Sequence, residues 1–383
     1  METADLYALF REYPSVTTDS RMCSKDSIFF ALKGERFNGN LFADKALEAG
    51  CAYAVVDERP EGEPANERII LVDDVLTSLQ QLATYHRRKL KIPIIGITGT
   101  NGKTTTKELI AIALSREFKV AYTQGNFNNH IGVPLTLLSM NRSHEIGVVE
   151  MGANHPGDIR ELCKIAEPDY GLITNVGKAH LEGFGSFENV IKTKGELYDF
   201  IREHEGKVFV NKDNQILYEL SEGMDRILYG KNDPSLFASG AIADATPFLE
   251  FDWSFFDSSY RVKTNLVGEY NFDNAIAAVA VSKFFGINAE RISAALEEYE
   301  PQNHRSQFKR TERNDLIIDA YNANPTSMKA SLDFFTSIPS SVPKMVILGE
   351  MKELGAICEE EHLKVVDFLK NQSYDRVYLV GNV

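Results

Sequence analysis

The sequence predicts an α/β chain of two or three domains built around parallel sheet, and three observations lead there. At 383 residues the chain exceeds one ordinary domain. Short continuous apolar runs recur between segments of helical spacing, as strands covered on both faces require. A glycine-rich loop ending in Lys103-Thr104 lies between one such run and a helix. Composition agrees: 43% hydrophobic residues with 25% charged residues suit a folded enzyme and exclude a disordered chain. The net charge of −14 argues against nucleic acid or an anionic membrane as partner, so a bound nucleotide must be held by local Lys, Arg and metal. Four cysteines without a CxxC pair suggest neither a zinc site nor a disulfide framework. The N-terminus is acidic where a signal peptide is basic, and no apolar run approaches membrane-spanning length, so a cytoplasmic, soluble protein is expected.

Residues 28–32 read as a strand closed by Gly34, 42–49 as a helix, 52–56 and 68–72 as strands, and 75–90 as a helix. The turn and charged residues of 59–64 form a surface loop, and Pro93 marks a new start. From residue 92 the order is strand 94–97, loop 98–102 and helix 103–118, with buried strands at 146–151 and 170–176. Residues 207–268 are β-rich, with alternation over 248–256 and 260–267, and helices follow near 274–285 and 290–299. From residue 305 a second βαβαβ series is expected, with strands 316–319, 345–348 and 376–380 and helices 327–335 and 359–369.

Gly99, Thr100, Asn101, Gly102, Lys103 and Thr104 suit a nucleoside triphosphate. Glycines let backbone amides turn toward oxygen, and the helix N-terminus adds its dipole. Lys103 would bridge terminal phosphates and the Thr104 hydroxyl would ligate Mg²⁺. Ile97 stands at the first glycine position of the general pattern, and a structural glycine turn is the plain alternative. Glu150 ends an apolar strand, where ligands gather in parallel sheets, although a solvated strand-end acid reads the same way. His180 also follows a strand end, as a lone surface or core histidine might equally do. Lys194 has Val190, Leu197, Tyr198 and Ile201 at helical spacing, which puts it on the apolar stripe, whereas Lys192 has acidic neighbours. Lys194 must therefore pair, snorkel or lose its proton, and a neutral amine can take up CO₂ as a metal-binding carbamate.

With these residues in place, the chain resembles the Mur ligases. The resemblance runs through Thr18-Asp19-Ser20-Arg21, the 99–104 loop, Thr123-Gln124-Gly125-Asn126-Phe127-Asn128-Asn129, Glu150-Met151-Gly152-Ala153 and the 179–186 segment. It continues through Lys194-Gly195-Glu196-Leu197, Gly268-Glu269-Tyr270-Asn271, Asn303-His304-Arg305-Ser306, the 319–325 run and Leu348-Gly349-Glu350-Met351. It implies three domains: a UDP-sugar-binding domain over 1–88, a central ATPase with a phosphate loop and parallel sheet over 89–304, and a Rossmann-like domain over 305–383. It implies an ATP-dependent amide ligase joining D-alanyl-D-alanine to UDP-N-acetylmuramoyl-tripeptide through an acyl phosphate, acting as a monomer. Lys103, Glu150, His180, Lys194 and Arg305 would be catalytic. ATP would be held by the 99–104 loop, Asn271, Arg305 and Asp319. Ser20, Arg21, Asn126, Asn129, Asn322 and Asn324 would bind substrate, and Thr104, Glu150, His180 and carbamylated Lys194 would hold Mg²⁺.

The sequence departs from the family at Tyr270, where a His is common, and at Asn38 and Asn40, where Asp and His are usual. The family's final Lys-Gly-Ser-Arg-like segment is absent, and the last series stops on a strand, which suggests a truncated chain. Three other readings remain at this point. They are a related ligase adding one amino acid or extending folate with glutamate, a phosphate-loop switch or motor, and a non-catalytic sugar-nucleotide binder.

Overall fold

Alternating apolar runs and amphipathic helices must bury one face of each helix against sheet, and the layers that result come in two units. The computed structural model describes residues 1–59, 66–256, 258–302 and 304–382. Most of the expected surface loop (residues 60–64) and the Asn303 position of the resemblance lie outside the described residues. One unit comprises residues 1–96, 119–151 and 161–169, and the other comprises 97–118, 152–160 and 170–383.

In the first unit a four-stranded sheet runs Ser15–Thr17, Ser27–Phe30, Tyr53–Val56, Ile69–Leu71, with every neighbouring pair parallel. All four residues of Ser27–Phe30 are buried, as a central parallel strand demands. Phe29, Ala46, Leu47, Cys51, Ala54 and Val56 form the core on one side. The helix Val75–Leu90 opens on Asp74, whose carboxylate accepts from the Thr77 amide at 2.6 Å. It stops at Lys91 in the left-handed region. Val120–Tyr122 pairs in parallel with Ile146–Glu150, and the Gly147 amide donates to the Pro93 carbonyl at 2.9 Å, just before the strand Ile94–Thr98.

That strand ends in the second unit, where the Thr174 amide donates to the Thr98 carbonyl at 2.9 Å. From there the strands run Tyr170–Ile173, Lys207–Asn211, Asp225–Lys231, Ala238–Asp244, Phe248–Phe255, Ser258–Val267. The first four are parallel and the last two are added antiparallel. The β-rich stretch expected over 207–268 therefore contains parallel strands, joined between 211 and 225 by the short helix Gln215–Leu220. Helix Phe272–Phe284 is buried along nearly its whole length, which explains its Ala- and Val-rich sequence. Trp253 is buried, and its indole N–H donates to the Ser293 hydroxyl at 3.1 Å.

The five elements of the expected βαβαβ series at the C-terminal end are present in order, but parallel pairing joins only its last two strands. Asp315–Ile318 pairs antiparallel with Gln307–Arg310, closing a hairpin over 311–314. Met345–Gly349 and Arg376–Val380 pair in parallel across the helix Cys358–Lys370. A strand with a partner a few residues away loses little chain entropy in pairing locally. Leu332, Val346 and Leu369 pack beneath the helices Pro325–Ser337 and Cys358–Lys370. Among the described residues, no helix is long and apolar enough to cross a membrane.

Phe251 is fully buried, and its ring meets Phe272 edge-on at 5.6 Å between centroids. Truncating it to Ala is expected to cost about 3–5 kcal/mol. Trp253, the only tryptophan, reports on the same strand, so the loss reads as an earlier midpoint in urea unfolding followed by tryptophan emission.

Candidate active site

The strand Ile94–Thr98 is buried throughout and delivers the chain to Gly99. Gly99 has φ 143°, and a Cβ there would lie 2.0 Å from the Thr174 hydroxyl. Gly102 has φ 77°, and its Cβ would lie 2.3 Å from the Asn274 side-chain oxygen. Glycine is needed at both for conformation and for space. Asn175 braces the turn between them: its carbonyl accepts from the Thr100 amide at 3.0 Å and its side-chain oxygen from the Asn101 amide at 2.9 Å. The Thr174 hydroxyl donates to the Asn101 carbonyl at 2.6 Å, and the Gly177 amide to the Thr100 hydroxyl at 2.9 Å. The loop is thus held in shape from the end of the neighbouring strand. Lys103 Nζ donates to the Gly99 and Thr100 carbonyls, both at 2.9 Å, which puts its charge over the loop. Thr104 is buried in the first turn of the helix Lys103–Leu114. From that helix the Thr106 hydroxyl donates to Asn274 at 3.0 Å, Asn274 donates to Asn271 at 2.9 Å, and Asn271 donates to the Val267 carbonyl at 2.8 Å. Asn271 is tied to the loop helix through amides.

Lys194 lies on the helix Phe187–Glu203, whose first turn is capped by the Ser186 hydroxyl accepting from the Asn189 amide at 3.2 Å. The residue is only 3% exposed, and Val190, Leu197, Tyr198 and Ile201 around it are buried. Lys192 is exposed, as its acidic neighbours predict. Burial holds the Lys194 amine well below its ordinary pKa, and the nearby positive charge of Lys103 pushes in the same direction. Opposing them, Asp158 and Glu196 favour the ammonium, as does the Phe184 ring 5.5 Å from Nζ. A cation over an aromatic face is worth about 2 kcal/mol when desolvated, too little to offset full burial. The Glu196 carboxylate is already committed, accepting from the Gly157 and Arg160 amides at 2.9 Å each. His180, in the left-handed region at φ 52°, pairs through Nδ1 with Glu353. Burial lowers its pKa, Glu353 opposes this, and Lys103 and Lys194 lower it further. Lys103, His180 and Lys194 thus lie within electrostatic reach of one another.

Arg305 lays its guanidinium 3.6 Å from the centroid of the Tyr321 ring, and its buried Nε has no hydrogen-bond partner among the described residues. Asp319 accepts from the Ser331 hydroxyl at 2.8 Å, and burial raises its pKa. Asn324 caps the helix Pro325–Ser337 and also donates to the Asn101 side chain at 2.7 Å, so this predicted residue meets the phosphate loop directly. Asn322 is exposed.

The first unit carries the remaining predicted residues. Glu150 is 1% exposed at the end of Ile146–Glu150. Its amide donates to the Thr123 hydroxyl at 2.9 Å and its carboxylate accepts from Asn128 at 2.8 Å. Asn126 and Asn129 are exposed on the same loop, where Asn129 accepts from the Gly132 amide at 2.8 Å. Ser20 is half-buried, and Arg21 is paired to Asp19 at 2.7 Å, which draws the Asp19 carboxyl down to about 2. Sequence reasoning missed Asn128, Thr174, Asn175, Asn274 and Glu353. Thr174 and Asn175 stand just past a parallel strand and were within reach of the rule that flagged Glu150. Nothing local points to Glu353.

The arrangement offers a triphosphate cradle with buried side chains beside it. Three models cover most of the chain: the Mur ligase family catalytic domain over residues 12–87, the Mur ligase middle domain over 97–282, and the Mur ligase glutamate ligase domain over 304–383. The UDP-N-acetylmuramoyl-tripeptide–D-alanyl-D-alanine ligase of Bacillus subtilis is 35% identical over 96% of this chain and 80% of its own length. The chain belongs to the Mur ligase family. The ligase of the same name from Escherichia coli is 34% identical over 96% of this Mur ligase and 81% of its own length. A crystal structure of MurF from Acinetobacter baumannii superposes with TM-score 0.86 at 32% identity, covering 96% of this chain and 80% of that one. MurF of Thermotoga maritima in complex with ADP gives TM-score 0.83 at 29% identity, covering 95% and 83%.

The packing around Gly102 generates a test. Gly102→Ala adds left-handed strain of about 1–2 kcal/mol and a clash with Asn274 in this Mur ligase. ADP affinity, measured by calorimetry, is expected to fall roughly tenfold or more, with the far-ultraviolet circular dichroism unchanged.

Proposed function

We propose that the chain is an ATP-dependent ligase forming the amide bond between D-alanyl-D-alanine and the terminal carboxylate of UDP-N-acetylmuramoyl-tripeptide, a cytoplasmic step of peptidoglycan precursor synthesis. The observation that carries this reading is the extent of the likeness: relatives named for this reaction are 34–35% identical over 96% of the chain. The braced loop at 99–104 supports ATP as the energy source, and the relative from Thermotoga maritima was crystallised with ADP.

A carboxylate is a poor acyl donor, because its negative charge repels nucleophiles. In the proposed reaction a carboxylate oxygen attacks the γ-phosphorus of ATP, and ADP leaves. The amine of D-alanyl-D-alanine then adds to the acyl carbon, loses a proton, and phosphate departs from the tetrahedral intermediate. Lys103 and Arg305 stabilise the transferring phosphoryl group electrostatically. Asn271 takes the adenine and Asp319 the ribose. Ser20 and Arg21 meet the uridine diphosphate, Asn126 and Asn129 lie near the sugar-peptide, and Asn322 and Asn324 bind substrate. Residues 1–88, 89–304 and 305–383 serve as the sugar-nucleotide, ATPase and Rossmann-like domains in this reading.

The chemistry of these donors suits Mg²⁺ on one condition. Among the described residues, no group of three His, Cys, Asp and Glu could hold a metal ion, and an ammonium at Lys194 would repel one. The buried amine of Lys194, held well below its ordinary pKa, would remove that conflict by adding CO₂ through a new N–C bond and releasing one proton, which leaves an anionic carbamate. Thr104, Glu150, His180 and carbamylated Lys194 would then hold Mg²⁺, which neutralises the charge between phosphate and carboxylate.

Mass spectrometry of the product formed from ATP, Mg²⁺, D-alanyl-D-alanine and each UDP-tripeptide (diaminopimelate or lysine at the third position) tests the reaction. Release of ADP with single amino acids or folate, and none with D-alanyl-D-alanine, would overturn the assignment. Lys194→Ala is expected to lower ligation by roughly 100-fold or more while ADP still binds, with partial recovery in added short-chain carboxylates. Near-normal turnover by that variant without them would remove the carbamate.

A further inference from the structure

We propose that Glu353 is a positioning residue for His180, holding the imidazole proton on Nδ1 and leaving Nε2 as the electron-pair donor toward a divalent cation. The inference rests on the reading of His180 as a metal-holding residue, and it adds a side chain that no motif identifies. Three features of the second unit carry it.

The first is the contact itself. His180 Nδ1 meets Glu353 Oε2, and an ionised carboxylate can only accept, so the proton of a neutral ring lies on Nδ1. The second is backbone conformation. His180 has φ 52° and Glu353 has φ 60°, each in the left-handed region that is unfavourable for a residue with a Cβ. Strain of this kind persists only where the surroundings over-determine it. The third is the set of hydrogen bonds that does so. The Glu182 amide donates to the Glu353 carbonyl at 3.0 Å, and the Gly183 and Phe184 amides donate to the His180 carbonyl at 3.0 and 3.1 Å. Histidine and glutamate are therefore joined through side chains and also through the turn after His180. An accidental surface pair between mobile side chains would have neither feature. Histidines that hold metals are commonly oriented by a carboxylate on the other ring nitrogen, because the tautomer and the ring plane must both be set before a cation arrives.

The full-length chain with ¹⁵N-labelled histidine gives the first test, with His180 assigned by the signal lost in His180→Gln. Long-range ¹⁵N–¹H correlation is expected to show the proton on Nδ1. A wild-type spectrum with the proton on Nε2 overturns the proposal without any variant at Glu353. The second test reads Mn²⁺ binding by electron paramagnetic resonance in the presence of ADP. Glu353→Ala is expected to weaken it by roughly 10–100-fold. Glu353→Gln, whose amide oxygen accepts the same proton, should recover most of the loss. In the ligation assay the KM for Mg²⁺ should rise in Glu353→Ala, with kcat at saturating Mg²⁺ within about threefold of wild type. Mn²⁺ affinity lost in His180→Ala but intact in Glu353→Ala rejects the role of Glu353 and leaves the reading of His180 standing. Affinity intact in both variants removes both.

Discussion

A lysine amine buried on an apolar helix face, within the field of a second lysine, is the constraint on which the rest of this site turns. Asp158 and Glu196 favour the charged form of Lys194 but do not offset its burial, and Glu196 is occupied by two backbone amides. Two like charges in a medium of low dielectric constant repel far more strongly than in water. The fold therefore weakens the hold of that amine on its proton. The overall charge of −14 does nothing to help, because distant surface charges are screened while buried ones are not.

Around that point the structure relies on neutral hydrogen bonds for shape and reserves charge for reactivity. Asn175 and Thr174 fix the phosphate loop with an amide and a hydroxyl, and Asn274 bonds the helix that follows it. None of them competes electrostatically with an arriving phosphate. The two glycines they pack against admit no side chain, so loop geometry is set by contact as well as by backbone preference.

What could be read in advance was what local spacing determines. The phosphate loop follows from glycine and lysine positions within six residues, and the burial of Lys194 follows from the apolar stripe at 190, 197, 198 and 201. The helix 75–90 is found where helical spacing put it, since Asp74 caps one end and Lys91 stops the other. Pairing between strands was less accessible. Asp315–Ile318 has the apolar run of a parallel strand but joins a hairpin, because register depends on partners that the run does not encode. The short helix Gly132–Leu138 was missed because Gly132 and Pro134 within it mimic loop composition. Contacts such as His180 with Glu353 and Asn101 with Asn324 join residues 173 and 223 positions apart, and single-sequence patterns carry no information on such distances.

Asn324 serves two masters. Its side-chain oxygen accepts from the Ser327 amide and so closes the first turn of Pro325–Ser337, while its nitrogen grips Asn101 in the phosphate loop. A loop and the start of a helix, separated by more than half the chain, thereby share one amide side chain, and loss of that single amide would unfasten both at once.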